Sequence, residues 1–225
     1  CYHGSVDEAL AVADGHGGTI SRAGNVGAPV DVALTTRAIE FNDVGALEAA
    51  LAHEDVAVVL AEPALTNIGI VPPDPGYHDA LRRLTREHGT LLLIDETHTL
   101  STGPGGYSRR HGLSPDLFVV GKAIAGGVPA AVWGMSEETA ARFKIARSSL
   151  PSGHSGIGTT LSGSPLQLAA LRATLERVAT DDAYAHMEKL ADRMEAGLSA
   201  VLDETGLPWD VARVGARNSH SSIGR

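Results

Sequence analysis

TLLLIDETHTLSTGPGGYSRRHGLSPDLFVVGK, residues 90–122, holds two short apolar runs that each end in a charged residue. In TLLLIDE (90–96) four apolar residues, Leu91 to Ile94, precede Asp95, and DLFVVGK (116–122) runs into Lys122. Short aliphatic runs bounded by turn residues read as strands inside a parallel sheet. The segment between them, STGPGGYS, reads as a glycine-rich loop. Working outward, VAVVLAEP (56–63) is a β-branched run closed by Pro63, expected to be a strand buried on both faces, and AAVWGMS (130–136) is a fourth expected strand. Helices are predicted between and beyond them. One lies at about 44–53, capped by Asn42 or Asp43, and another at 77–89 has Leu81 and Leu84 on one side and Gly89 as its stop. Ser136 opens a third over 136–144, Pro165 starts a long amphipathic one, and a last helix runs from Asp181/Asp182 to about 204. Residues 11–40 and 145–164 read as irregular, and the tail ARNSHSSIGR has no periodic signal. Helices alternating with short apolar strands define an α/β domain with a largely parallel sheet.

The 225 residues suffice for one good-sized core. A composition of 43% hydrophobic and 20% charged residues is that of a globular protein, and a net charge of −9 argues against a nucleic-acid or anionic-membrane surface. No apolar run approaches the roughly 18 residues that span a bilayer, no signal peptide is visible, and no solenoid repeat occurs. The single cysteine, Cys1, excludes an internal disulfide and fits a reducing compartment, the cytoplasm. The chain begins Cys-Tyr-His-Gly rather than with methionine, and reads like the middle of something longer.

In open α/β sheets ligands bind at the carboxyl ends of strands, and Glu62, Asp95 and Lys122 all occupy such ends. Asp95 is either a solvated carboxylate closing a strand or one aimed into a ligand crevice, where it holds a metal or a protonated ring nitrogen. Lys122 is one of only three lysines among eighteen basic residues. It is either a snorkelling strand-end lysine or an amine desolvated by Val119, Val120, Ile124 and Val128, which burial would leave free to attack carbonyls. Gly121, Gly126 and Gly127 around it would admit a flat ligand. The spacing of GKAIAGG is not that of a P-loop. His78, Arg82, Arg83, Arg86 and His88 are expected to form the solvated face of their helix. His16, His53, His111, His154 and His220 show no metal-ligand spacing, and a metal cluster on Asp95, Glu96 and His98 lacks further ligands.

These residues carry a resemblance. LLLIDETHT followed by GLSPDLFVVGKAIAGGVPAAVWG is similar to the signature of class-III (subgroup II) aminotransferases, enzymes of fold type I that use pyridoxal 5′-phosphate. Tyr2-His3-Gly4, Glu62-Pro63 and Gly158-Thr159-Thr160-Leu161-Ser162-Gly163-Ser164-Pro165 match further motifs of that family, in family order, over residues 1 to about 205. The resemblance implies that Lys122 carries the cofactor as an internal aldimine and shuttles a proton. It implies that Asp95 pairs with the pyridine nitrogen, Tyr2 stacks on one ring face with His3 close by, and the Thr97 methyl packs on the other. His98 and Asn67 belong to the cofactor wall, and Thr159 and Thr160 reach the phosphate across a subunit boundary, which implies a homodimer with shared sites. The partners implied are a small amino donor and a keto or aldehyde acceptor, with no nucleic acid and no membrane.

Asn67 stands where ornithine- and GABA-type members usually have a glutamate, so the stretch resembles the glutamate-1-semialdehyde 2,1-aminomutase branch instead. Thr97-His98 and Ser164 depart from that branch, which favours amino transfer over the aminomutase reaction. Residues 1–205 are therefore expected to be the cofactor-binding large domain, and 206–225 a linker, a disordered tail or the start of a small C-terminal domain. The family's upstream phosphate loop and its C-terminal domain have no counterpart here. On that expectation the 225 residues are the central part of a longer enzyme, or an inactive truncated member that alone binds the cofactor weakly and turns over little.

Overall fold

The computed structural model describes residues 2–25, 30–150, 158 and 161–221. Two three-residue strands, β1 (Ala11–Ala13) and β2 (Thr19–Ser21), pair antiparallel. The Asp14 carboxylate closes their turn by accepting from the His16 and Gly18 amides at 2.7 and 2.9 Å. Such strands are too short for a periodic signal, which is why the segment reads as irregular in sequence. Helix α1 (Val44–Leu51) is capped by Asp43, whose side chain accepts from the Ala46 amide at 2.8 Å. Asn42 takes the left-handed region (φ +69°) and clasps the loop beyond, donating to Pro72 O and accepting from the Asp74 amide, both at 3.0 Å.

The central sheet follows: β3 (Val58–Ala61), α2 (Tyr77–Glu87), β4 (Leu91–Asp95), α3 (Gly106–His111), β5 (Leu117–Val120) and β6 (Val132–Met135). Its order is β3-β4-β5-β6, with β3, β4 and β5 parallel and β6 antiparallel on β5. Mostly parallel is what the apolar runs required. Helix α3 was not expected, because its sequence, GYSRRH, opens with the glycines that signal a loop.

Leu47 and Leu51 of α1 and Tyr77, Leu81 and Leu84 of α2 bury one sheet face through Leu92 and Ile94. Phe41 adds an edge-on contact to Tyr77 at 4.8 Å. The opposite face is open at β3, where Val58 and Leu60 are 42% and 41% exposed, so the strand expected to be buried on both faces is covered on one. Leu81 is 1% exposed at the centre of the cluster. Leu81→Ala should cost about 2–5 kcal/mol of stability by loss of transfer energy plus a cavity. Exposed Arg86→Ala should stay within about 0.5 kcal/mol. Chemical denaturation of both variants checks this, and equal midpoints would contradict the packing.

The basic face of α2 is only partly solvated. His78 donates to Pro63 O at 2.9 Å, and Arg82 reaches Asp116 at 2.8 Å while Asp116 also accepts from the Leu92 amide. Pro63 after β3 lies against His78 and the turn before β5 against Arg82, so these two side chains meet protein rather than water. Arg83 and Arg86 are exposed as expected.

Helices α4 (Glu137–Ser148), α5 (Pro165–Arg177) and α6 (Asp181–Thr205) complete the order with β7 (Asp210–Val214) and β8 (Arg217–Ser221). Ser136 caps α4 by accepting from the Thr139 amide at 3.2 Å, and Pro165 opens α5. β7 and β8 form an antiparallel hairpin where the sequence shows no periodicity. It is held by the body: Val214 joins a cluster with Ala64, Ile70 and Tyr107. At Gly215 the backbone meets Thr102 so closely that a Cβ would collide with its main chain. Asn218 donates to Ala191 O of α6 at 3.0 Å.

Candidate active site

The sheet delivers its polar residues to one edge because each strand ends where its apolar run ends. Asp95 closes β4 and is 8% exposed. Its Oδ2 lies 2.8 Å from His3 Nδ1, and its Oδ1 accepts from the Thr97 amide at 3.0 Å. Burial pushes the Asp95 carboxyl up, but the hydrogen bonds from His3 and Thr97 outweigh it and leave the group below its ordinary value. Asp95 is therefore a buried, oriented carboxylate, not a solvated strand end. His3 Nε2 is buried and has no partner among the described residues.

Lys122 begins the turn after β5, adjacent to β4. Its backbone is left-handed (φ +54°), unusual for a residue with a Cβ, and a strain of the kind that gathers at functional sites. The expected desolvation is not there. Val120 and Ile124 are buried and Val119 and Val128 half-buried, yet Lys122 itself is exposed, because those neighbours turn into the sheet and toward α5 rather than over the amine. Gly126 and Gly127 carry positive φ (+59° and +99°), so these glycines serve the turn that aims Lys122. Gly121 is buried with the Thr97 methyl beside it, 4.0 Å from where a Cβ would stand.

Behind Lys122 lies a group the sequence did not join. Glu62, ending the β3 segment, is 4% exposed and accepts from Thr66 Oγ1 at 2.8 Å. Thr66 Oγ1 is also 2.5 Å from His98 Nδ1. Arg217 of β8 donates to Thr66 O at 3.0 Å. Burial, reinforced by the charges of Lys122 and Arg217, holds the His98 imidazole below its ordinary value against the pull of Glu62 and Asp95. Glu62 had a visible signal, a carboxylate at a strand end. Thr66 and Arg217 had none.

Glu96 is not free to ligate a metal beside His98. Its oxygens accept from Thr99 Oγ1 at 2.6 Å and from the Tyr107 and Ser108 amides at 3.1 and 2.6 Å, so it anchors the first turn of α3. Of the remaining expected residues, Tyr2 is 45% exposed and Asn67 is exposed on the loop closed by the Leu65–Val71 bridge. Thr159 and Thr160 lie outside the described residues. The structure thus brings Asp95, Thr97, His98 and Lys122 to neighbouring strand ends, sets His3 against Asp95, and leaves Tyr2 and Asn67 exposed.

A profile of the family described as aminotransferase class-III matches residues 1–219. A glutamate-1-semialdehyde 2,1-aminomutase of Sorangium cellulosum is 38% identical over 219 residues, covering 96% of this chain and 48% of its own length. A crystal structure of a glutamate-1-semialdehyde-aminomutase from Pseudomonas aeruginosa PAO1, in complex with PMP, superposes with a TM-score of 0.92 at 54% identity, covering 97% of this chain and 49% of that one. An omega-transaminase from Sphaerobacter thermophilus follows at TM-score 0.79 and 29% identity, with 96% and 50% covered. The chain spans about half the length of the relatives it matches.

Proposed function

Because the chain belongs to the class-III aminotransferase family, we propose that it forms the cofactor-binding part of an enzyme that moves an amino group between an amino acid or amine and a keto or aldehyde acceptor, with Lys122 as its catalytic residue. The observation that carries this reading is a strained, accessible lysine just past the end of the strand that pairs with the one closed by a buried carboxylate below its ordinary pKa. The residues fit pyridoxal 5′-phosphate. An accessible amine, an oriented anion for a protonated ring nitrogen, and the buried His3 Nε2, which has no partner among the described residues, make a set that suits it. When bound, that group supplies an electron-poor ring that accepts the charge left when the substrate carbon loses a proton.

The chain's own residues do the rest. Lys122 Nζ would hold the cofactor and, once displaced by the incoming amine, would as a free amine take and return the proton of the substrate carbon. Asp95 stays ionised and holds a positive ring nitrogen, while His3 Nδ1 fixes the direction in which it points. The Thr97 amide holds the second carboxylate oxygen, and its methyl lines the floor beside Gly121. Asn67 and Tyr2 offer a rim that closes over a flat ligand.

We assign a homodimer with shared sites. Leu166 and Leu168 of α5 are 68% and 52% exposed and Ile145 of α4 is 72% exposed, apolar side chains that a second copy would cover. The start of a C-terminal domain at the β7–β8 hairpin, and a cytoplasmic setting on the strength of a single cysteine, complete the proposal. Among the described residues no helix is long and apolar enough to cross a membrane.

The aminomutase reaction is the second reading, favoured by the 54% identity to the Pseudomonas aeruginosa enzyme. One experiment tests both. The intact polypeptide, purified with pyridoxal 5′-phosphate, should show a visible band that shifts on adding an amine donor. A need for a separate keto acid marks transfer, and turnover of a single amino aldehyde without one marks the mutase. No band from folded protein would overturn both.

A further inference from the structure

The proposed chemistry gives no part to the most buried polar group of the site. Glu62 and Thr66 are 4% and 3% exposed, and Glu62 Oε1 has no partner among the described residues. A buried carboxylate is costly, and a neutral side chain would serve packing better. Thr66 Oγ1 lies 2.8 Å from Glu62 Oε2 and 2.5 Å from His98 Nδ1. A hydroxyl has one hydrogen to donate. Thr66 donates that hydrogen to Glu62 Oε2, so toward the imidazole it can only accept. The ring proton is then on Nδ1, since the bond one nitrogen makes decides the state of the other.

We propose that Glu62, Thr66 and His98 act as one positioning unit. The carboxylate orders the hydroxyl, the hydroxyl holds the imidazole as its Nδ1–H tautomer, and Nε2 becomes a fixed hydrogen-bond acceptor beside Lys122. Asp95 stands in register with Val119, so the turns that carry His98 and Lys122 start from adjacent strand ends, and the Lys122 charge acts on the His98 ring. Arg217, bonded to Thr66 O, pins the loop that carries the hydroxyl. Burial and the charges of Lys122 and Arg217 favour the neutral ring, and they outweigh Glu62 and Asp95, which favour the protonated one. A ligand group seated between His98 and Lys122 must therefore present an N–H or O–H to Nε2. The inference rests on the aminotransferase reading only for what enters the site.

Long-range proton–nitrogen spectra of the 15N-histidine-labelled intact polypeptide test it, with His98→Asn assigning the signal. At neutral pH His98 should carry its proton on Nδ1, Thr66→Ser should keep that pattern, and Thr66→Val should move the proton to Nε2. In protein loaded with pyridoxal 5′-phosphate, Thr66→Val should shift the pH midpoint of the visible band toward acid by about one unit, a tenfold change in proton affinity, because the bound donor loses its acceptor. Thr66→Ser should restore the midpoint. An Nε2–H tautomer in the unaltered chain, or equal midpoints for the valine and serine variants, would overturn the proposal. A missing visible band with the Nδ1 tautomer intact would count against the aminotransferase reading and leave the unit standing.

Discussion

Lys122→Ala should abolish covalent attachment of pyridoxal 5′-phosphate and lower turnover of the intact enzyme by on the order of 10⁴-fold or more, the scale of losing a nucleophile that acts with its partners as a unit. Borohydride reduction followed by mass spectrometry reads the attachment directly. The unaltered chain should retain one label on the peptide around residue 122, and the variant none. Lys144 and Lys189 are the other side-chain amines of these 225 residues, so a label found on a peptide around either of them in Lys122→Ala would move the assignment there. Stability should hardly fall, since Lys122 is exposed and its left-handed backbone gains nothing from a longer side chain. Lys122→Gly should be somewhat more stable for the same reason.

Asp95→Asn should leave the cofactor attached but cut turnover by roughly 10²–10³-fold, the usual scale for losing one preorganised electrostatic partner of the reacting group. The amide cannot balance a protonated ring nitrogen, so the visible band should shift while the borohydride label remains. The stability profile carries a second signature. The folded Asp95 pKa lies below its ordinary 3.8, so its contribution is fully present above that value and is lost as pH falls through the lowered folded value. Asp95→Asn should remove that part of the acid limb. An unchanged acid limb together with unchanged turnover would mean that the His3 contact does not bias Asp95 at all.

Both variants act on residues that were visible at once in the chain. The aliphatic runs at 91–94 and 117–120 state where a strand must be, and the first charged residue after each states where it stops. The cap at Ser136 and the proline opening α5 are equally local. What stayed hidden had no local period. GYSRRH is too short and too glycine-marked to announce α3, and the two strands of the final hairpin alternate too weakly to announce a sheet. The solvent around Lys122 was hidden for another reason: whether apolar neighbours cover an amine depends on which way a turn aims them. The turn at 122–125 sends Ile124 and Ala125 inward and leaves the lysine outside.

Hydrophobic patterning along the chain determined an α/β domain with a mostly parallel sheet, and with it the two strand ends that carry Asp95 and Lys122. Which side chains meet there was decided by tertiary structure alone. His3 reaches Asp95 across 92 residues, Thr66 links Glu62 to a histidine 32 residues away, and Arg217 returns to Thr66 across 151. A strand needs only that its apolar face be buried, which a few residues in a row can specify. A hydrogen bond needs two atoms within about 3 Å at the right angle, and only the register of neighbouring strands and the docking of the last hairpin supply that.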